Sequence, residues 1–331
     1  MSGEITVLYF AAASTATGLT TEAVPIPPTG GEPAFTARRL TATTFLITEV
    51  DDIYDEHPFI YAKLAPAART LLLLDTGCGG ASRDPAASFK RLRDFLERAP
   101  VEDNDGAPLN AGGGLGYVVV LSHCHYDHIL GVEQFAKDSL IFASGYDPGF
   151  LAPHKLAEHS LCAALGIRTP SYKPSLLPHL SPITSKDGVP LGVTLLHTPG
   201  HTPDELALWD EEEGMLYVGD TLYERAPIIF PNEGSIVKWL ETVDSLTALV
   251  TGSGKSESVR INCGHMTAQQ PALEVLRSTK AFMVDVIEGR EKVRRRTWKR
   301  GEESVEYVQE GGRYSLICPE RLVREAREVM R

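Results

Sequence analysis

The stretch Ser122-His123-Cys124-His125-Tyr126-Asp127-His128 decides how this chain is read, because three imidazoles and a carboxylate fall within six consecutive positions. Neutral imidazole and carboxylate suit zinc and its first-row neighbours, so this density calls for a metal. The preceding Tyr117-Val118-Val119-Val120-Leu121 is a short β-branched apolar run, and it reads as a buried strand that ends where the ligands begin. Open α/β sheets carry their chemistry at such strand ends. In extended backbone His123 and His125 project to one side while Cys124 points away, so the two histidines can share an ion. Asp127 and His128 follow where the chain turns toward a helix-like segment, 129–135, and can reach a second ion. The competing reading, a chance histidine cluster or one structural zinc, leaves further ligand-type residues along the chain unexplained.

Upstream of the cluster, alternation and β-branching mark 43–50 and 59–62 as strands. Four consecutive leucines at 71–74 look like a strand buried on both faces. Asp75 follows it, and can orient a metal-bound histidine or serve as an ordinary turn residue. Residues 84–97 read as a helix with Phe89, Leu92, Phe95 and Leu96 on one face. Residues 1–22 are mildly β-like, and 24–33 form a Pro/Gly loop.

Downstream, three more strands each deliver one ligand type. The run 192–197 leads into Thr198-Pro199-Gly200-His201, a pair at 206–209 and 215–218 ends in Gly219-Asp220, and 259–262 leads to Gly264-His265. Between them, 235–250 and 271–290 have the periodicity of amphipathic helices. Residues 146–190 are a long, proline-punctuated insertion with a short helix near 155–165; such segments often form lids, which makes Tyr146, Phe150, His154 and Tyr172 candidates for substrate contact. The basic run 292–300 reads as a solvated helix end, followed by strand-like pieces at 304–308 and 314–318 and a helix from 319. The expected organisation is one domain, 1–331, with an N-terminal arm and first strands (1–70), a lid-like insertion (146–190) and a C-terminal appendage (292–331).

The 331 residues, 43% hydrophobic, suffice for a large core, and 32 basic against 44 acidic residues give a net charge of −12. That balance disfavours nucleic acid and anionic membranes as partners and favours a small-molecule substrate. Five widely spaced cysteines suggest neither a disulfide framework nor a thiolate zinc site. The apolar stretch 5–13 has no Lys or Arg before it, unlike a secretion signal, so a soluble, cytoplasmic protein is expected.

The order His-x-His-x-Asp-His, Thr-Pro-Gly-His, Gly-Asp and Gly-His, each after a strand, resembles the metallo-β-lactamase superfamily, over roughly residues 71–266. The resemblance implies an α/β fold, a four-layer αββα sandwich of two mixed β-sheets flanked by helices. It implies two divalent metal ions, usually zinc and in some members iron or manganese. His123, His125 and His201 would hold one, Asp127, His128 and His265 the other, and Asp220 would bridge them. A hydroxide between such ions attacks an acyl carbon, with Asp127 as a possible proton shuttle. The sequence Asp220-Thr-Leu-Tyr223 is similar to the acyl-homoserine-lactone lactonases, in which the tyrosine donates to the substrate carbonyl oxygen; a packed aromatic is the plainer reading of Tyr223. The leading expectation is therefore a hydrolase that opens a lactone or lactam. A glyoxalase II-like thioester hydrolase is the alternative, though the expected glutathione-binding sequence is not apparent. An iron-dependent sulfur dioxygenase, a phosphodiesterase and a scaffold without catalysis rank lower.

Overall fold

Four consecutive leucines are all hidden from water only where both faces of their strand are covered. In the computed structural model, which describes residues 31–330, Thr70–Leu74 is the middle strand of a seven-stranded sheet. The sheet runs in chain order: β1 (Phe35–Arg39), β2 (Thr44–Glu49), β3 (Phe59–Ala65), β4 (Thr70–Leu74), β5 (Gly116–Val120), β6 (Leu140–Ser144) and β7 (Ser175–Leu177). Neighbours are antiparallel up to β4 and parallel from β4 to β7. Leu71 and Leu73 pack outward against Leu92, Phe95 and Leu96 of helix α1 (Leu92–Arg98). Leu72 and Leu74 pack inward, with Val118 and Val120, against a second sheet.

That second sheet contributes β8 (Ser181–Thr184), β9 (Pro190–His197), β10 (Leu206–Asp210), β11 (Met215–Tyr217), β13 (Arg260–Asn262) and β14 (Gln270–Pro271), in the order β14-β13-β11-β10-β9-β8. Its outer face, with Leu196, Ala207, Trp209 and Leu216, packs on helices α5 (Ile236–Gly252) and α6 (Ala272–Ile287). Helix, sheet, sheet and helix thus form the expected four layers, with a mixed sheet on each side of the central core. Strands β4, β5, β9, β11 and β13 all end on one rim, where the chemistry-bearing residues follow them. Asp127 and His128 lie there on the single-turn helix α2 (Tyr126–Ile129).

A third sheet, beyond the two expected, comprises β12 (Pro227–Ile229), β15 (Val293–Lys299), β16 (Glu302–Val308) and β17 (Ser315–Pro319), in the order β12-β17-β16-β15. Val305, Tyr307, Leu316 and Cys318 share one core with α5, α6 and helix α7 (Glu320–Val329), so residues 292–330 are packed into the sandwich.

Several local expectations are corrected. Residues 84–91 are not helical: Asp84 Oδ1 accepts from Ala86 N–H at 2.8 Å, Ser88 bridges to Pro33, and Phe89 has a left-handed φ of 47°, so the helix starts at Leu92. The basic run is strand β15, not a helix end; Arg295 pairs with Glu306 and Arg296 with Glu303 and Glu320, charges that suit an exposed edge strand. The insertion 146–190 is not only a lid, because β7 and β8 within it extend both sheets; its helix is two short ones, α3 (Leu156–His159) and α4 (Cys162–Leu165), broken at Leu161 with φ 65°. All five cysteines are unpaired and buried. Among the described residues no helix is long and apolar enough to cross a membrane. The β-like pattern at 1–22 and the Pro/Gly loop up to residue 30 lie outside the described residues.

One buried acid makes stability depend on pH. The Glu49 side chain is enclosed on β2, Oε2 accepts from Gly80 N–H at 3.1 Å and Oε1 has no partner; burial raises its carboxyl from 4.5 to about 8. A folded-state pKa above the unfolded value means stability is fully present below the unfolded value and is lost as pH rises toward 8. Glu49→Gln should therefore raise the melting temperature at pH 8.5 by a few degrees and flatten its decline from pH 5. Thermal scans across that range at constant metal content check this, and an unchanged slope contradicts it.

Candidate metal centre

Four strand ends, those of β5, β9, β11 and β13, bring the sequence-predicted ligands together from positions far apart in the chain. The ligand atoms of His123, His125 and His201 lie within 4.8 Å of one another, and so do those of Asp127, His128, Asp220 and His265. The two groups adjoin, with the His123 and His128 rings 4.3 Å apart between centroids. Asp220 falls in the second group. Gly264 permits this closeness: a Cβ there would stand 2.1 Å from Asp220 Oδ1 and 3.0 Å from His128 Cε1.

Hydrogen bonds from outside fix most of the rings. Asp75, in a left-handed conformation at the end of β4, accepts from Ser122 N–H at 2.7 Å and Ser122 Oγ–H at 2.8 Å, and lies 3.0 Å from His128 Nδ1. Ser122 Oγ in turn is 3.0 Å from His123 Nδ1. His201 Nδ1 is 2.6 Å from the Ile229 carbonyl, and His265 Nδ1 is 2.9 Å from the Glu56 carbonyl. With these nitrogens engaged, the Nε2 atoms of four histidines are left for the shared space, as ligating histidines require. His125 differs, presenting Nδ1 at 3.1 Å from His201 Nε2.

The electrostatics divide the site in two. Burial pushes the His125 imidazole down to about 3 and holds His123 and His201 below the ordinary range, so the first group is neutral. In the second, burial works against the charge of His265, yet Asp220 and Asp127 lift it to about 9. Buried His123 Nε2, His128 Nε2 and Asp220 Oδ1 have no directed hydrogen-bond partner, although carboxylate oxygens stand 3.2 and 3.4 Å from His128 Nε2. Orphaned acceptors of this type, three and four ligands to a group, fit a pair of divalent cations.

The site opens into a cavity of about 670 Å³ lined by His125, His201, Asp220, His265 and Tyr223 and otherwise largely by apolar side chains. The Tyr223 ring is buried, 5.8 Å from the His265 ring. The four expected substrate contacts are not there. Phe150 stacks on His159 at 3.9 Å, Tyr146 lies exposed against His197, His154 is exposed, and Tyr172 lines a separate cavity. Insertion residues reach the cleft instead through Leu161, Ala164 and Leu165, because β7 and β8 tie the rest to the sheet edges.

Sequence reasoning missed the loop 52–57. Asp52, buried, accepts from Tyr54 and His57 N–H at 2.9 Å and from Glu56 N–H at 3.3 Å, a side-chain-capped turn that sets the Glu56 carbonyl against His265. Glu56 also takes the Tyr126 hydroxyl and lines the cavity. The Asp-x-Tyr-x-Glu-His spacing was the available signal. Glu205 was also missed; it is wholly buried beside Gly219, with no partner for either oxygen.

These features define a family. The chain belongs to the metallo-β-lactamase superfamily, whose profile it matches over residues 67–253. It is 33% identical over 309 residues, 89% of each chain, to "Putative transcription factor avaE" of Aspergillus versicolor. It is 25% identical over 195 residues to "Acyl-coenzyme A thioesterase MBLAC2" of Gallus gallus, covering 51% of this chain and 56% of that one. In fold it is similar to the metallo-beta-lactamase family protein TTHA1429 from Thermus thermophilus, with a TM-score of 0.55 and 20% identity over 76% of this chain and 82% of the other. The DIM-1 metallo-beta-lactamase gives a TM-score of 0.50 at 14% identity, over 76% and 97%.

Two substitutions test how the ligands are held. Gly264→Ala should cost about one metal equivalent per chain while the far-UV circular dichroism is unchanged, and full metal content would contradict the crowding. Asp52→Ala should weaken metal binding about 10- to 100-fold by releasing the His265 carbonyl partner, as read by chelator competition.

Proposed function

We propose that the chain is a metal-dependent hydrolase that cleaves a carboxylic acyl bond, with an apolar acyl group lying in the cleft. The observation that carries this is the convergence of seven ligand-type side chains at one apolar cavity of about 670 Å³. His123, His125 and His201 would hold one cation, and Asp127, His128 and His265 the other, with Asp220 between them; zinc is the first choice of metal. Two such ions, when bound, supply water with a pKa of about 7 and polarise the scissile carbonyl.

The protein's own groups do the rest. Tyr223, its hydroxyl kept protonated by burial and by the nearby Asp220 and Asp127, donates to the acyl oxygen. Asp127, 3.1 Å from His265 Nε2, carries a proton toward the leaving group. The apolar wall excludes water from the acyl chain.

Two finer readings share this site. An acyl thioester is favoured by the 25% identical relative named as an acyl-coenzyme A thioesterase and by a cleft large enough for an extended or bulky acyl group. A lactone or lactam is favoured by the spacing of Asp220 and Tyr223, and takes second place. The name of the fungal relative points instead to gene regulation, but a net charge of −12 and the engagement of Arg295 and Arg296 by glutamates oppose a DNA-binding surface.

A panel of acyl thioesters, lactones and lactams of matched acyl length decides the order. Turnover should vanish with chelator and return with added zinc. Asp220→Ala should lose both turnover and metal, whereas Tyr223→Phe should keep its metal and slow kcat about 10- to 100-fold. A fully active, fully metallated Asp220→Ala protein would contradict the assignment.

A further inference from the structure

We propose that the C-terminal sheet is the substrate-selecting wall of the cleft. Its cavity face takes the acyl chain, and Lys299 at its tip takes an anionic group on the carrier beyond the scissile bond. This rests on the acyl-hydrolase reading above and names its substrate class: an apolar acyl thioester on a phosphate-bearing thiol.

The argument begins with register. Ile229 pairs with Ile317, Ser304 with Pro319, and Lys299 with Glu302, and residues directly paired share a face. All six line the cavity that holds His125, His201, Asp220 and His265. The residues between them, Val305, Leu316 and Cys318, are buried against the helices, so the wall is fixed from behind. It is also coupled to the metal centre, because the Ile229 carbonyl is the 2.6 Å partner of His201 Nδ1 and Phe230 N–H donates to the Ile317 carbonyl at 2.8 Å. The side chain of Ile229 remains 47% exposed despite its place in a strand, which leaves apolar surface facing the cleft for a ligand to cover.

Charge then distinguishes the two lips. On one side stand Asp55 and Glu56. On the other, Arg300 is engaged by Glu233 at 2.7 and 2.9 Å and its carbonyl accepts from Asn232 Nδ2–H at 3.0 Å, which pins the tip of the hairpin. Glu302 is turned to Arg321 at 3.4 Å. Lys299 has no carboxylate in ion-pair range among the described residues, so it is the cation on this lip available to an anion. The whole hairpin lies beyond residue 253, where the family match ends.

The test uses zinc-loaded full-length protein with acetyl and decanoyl thioesters on coenzyme A, on glutathione and on uncharged N-acetylcysteamine. In Lys299→Glu the ratio of KM for the coenzyme A thioester to KM for the N-acetylcysteamine thioester should rise at least about fivefold. In Ile317→Trp the decanoyl-to-acetyl ratio of kcat/KM should fall about tenfold, with metal content unchanged. Unchanged ratios in both variants overturn the proposal. If Lys299→Glu affects glutathione thioesters alone, the anionic group is a carboxylate and the phosphate assignment is overturned. Binding of the non-hydrolysable thioether analogue of decanoyl-coenzyme A separates the two layers of argument. Lys299-dependent binding without any thioester turnover sustains the wall and sinks the reaction, whereas turnover with Lys299-independent binding does the reverse. Neither binding nor turnover sinks both.

Discussion

Five imidazoles and two carboxylates share one largely buried space at the head of the cleft, and the hydrogen bonds among them leave His123 Nε2, His128 Nε2 and Asp220 Oδ1 without directed partners. Burying such groups is costly unless something compensates them. Divalent cations would do so, and the rest of the structure is arranged to keep the seven groups facing one shared space. Strand ends supply the positions, and Asp75, Ser122 and the carbonyls of Ile229 and Glu56 supply the orientations.

The order of dependence runs outward from there. Leu71 to Leu74 must be buried on both faces, so β4 sits at the centre of the sandwich and Asp75 emerges where it can reach Ser122 just past β5. β9, β11 and β13 lie in the opposing sheet, so His201, Asp220 and His265 meet the first cluster across the top of the shared core. Gly264 is small because Asp220 and His128 occupy the space a side chain would need.

The strands and the ligand-type residues could be read from local pattern, a short apolar run and then a ligand type, whereas the four layers came from the resemblance that the order of those motifs carries. Pockets are different. Tyr146, Phe150, His154 and Tyr172 stand out in the sequence for lying in a proline-rich insertion, yet the pairing of β7 and β8 with the two sheets decides which parts of it reach the cleft, and strand pairing is a long-range property. The basic run misled for a related reason. Seven of its nine residues, 293–299, form an edge strand because 302–308 follow in register to pair with them. Asp52 acts through three backbone amides and, by way of Glu56, a carbonyl, and the Asp-x-Tyr-x-Glu-His spacing is a signal for the turn but not for the histidine it supports. The C-terminal sheet joins the site by register as well, with one face in the core and the other in the cleft.

The most direct measurement is X-ray diffraction from crystals of the metal-loaded protein, with anomalous data collected at the absorption edge of the bound element. Two peaks about 3.5–4 Å apart are predicted, one among His123, His125 and His201 and the other among Asp127, His128 and His265, with Asp220 in reach of both. A single peak, or peaks away from these side chains, would contradict the account.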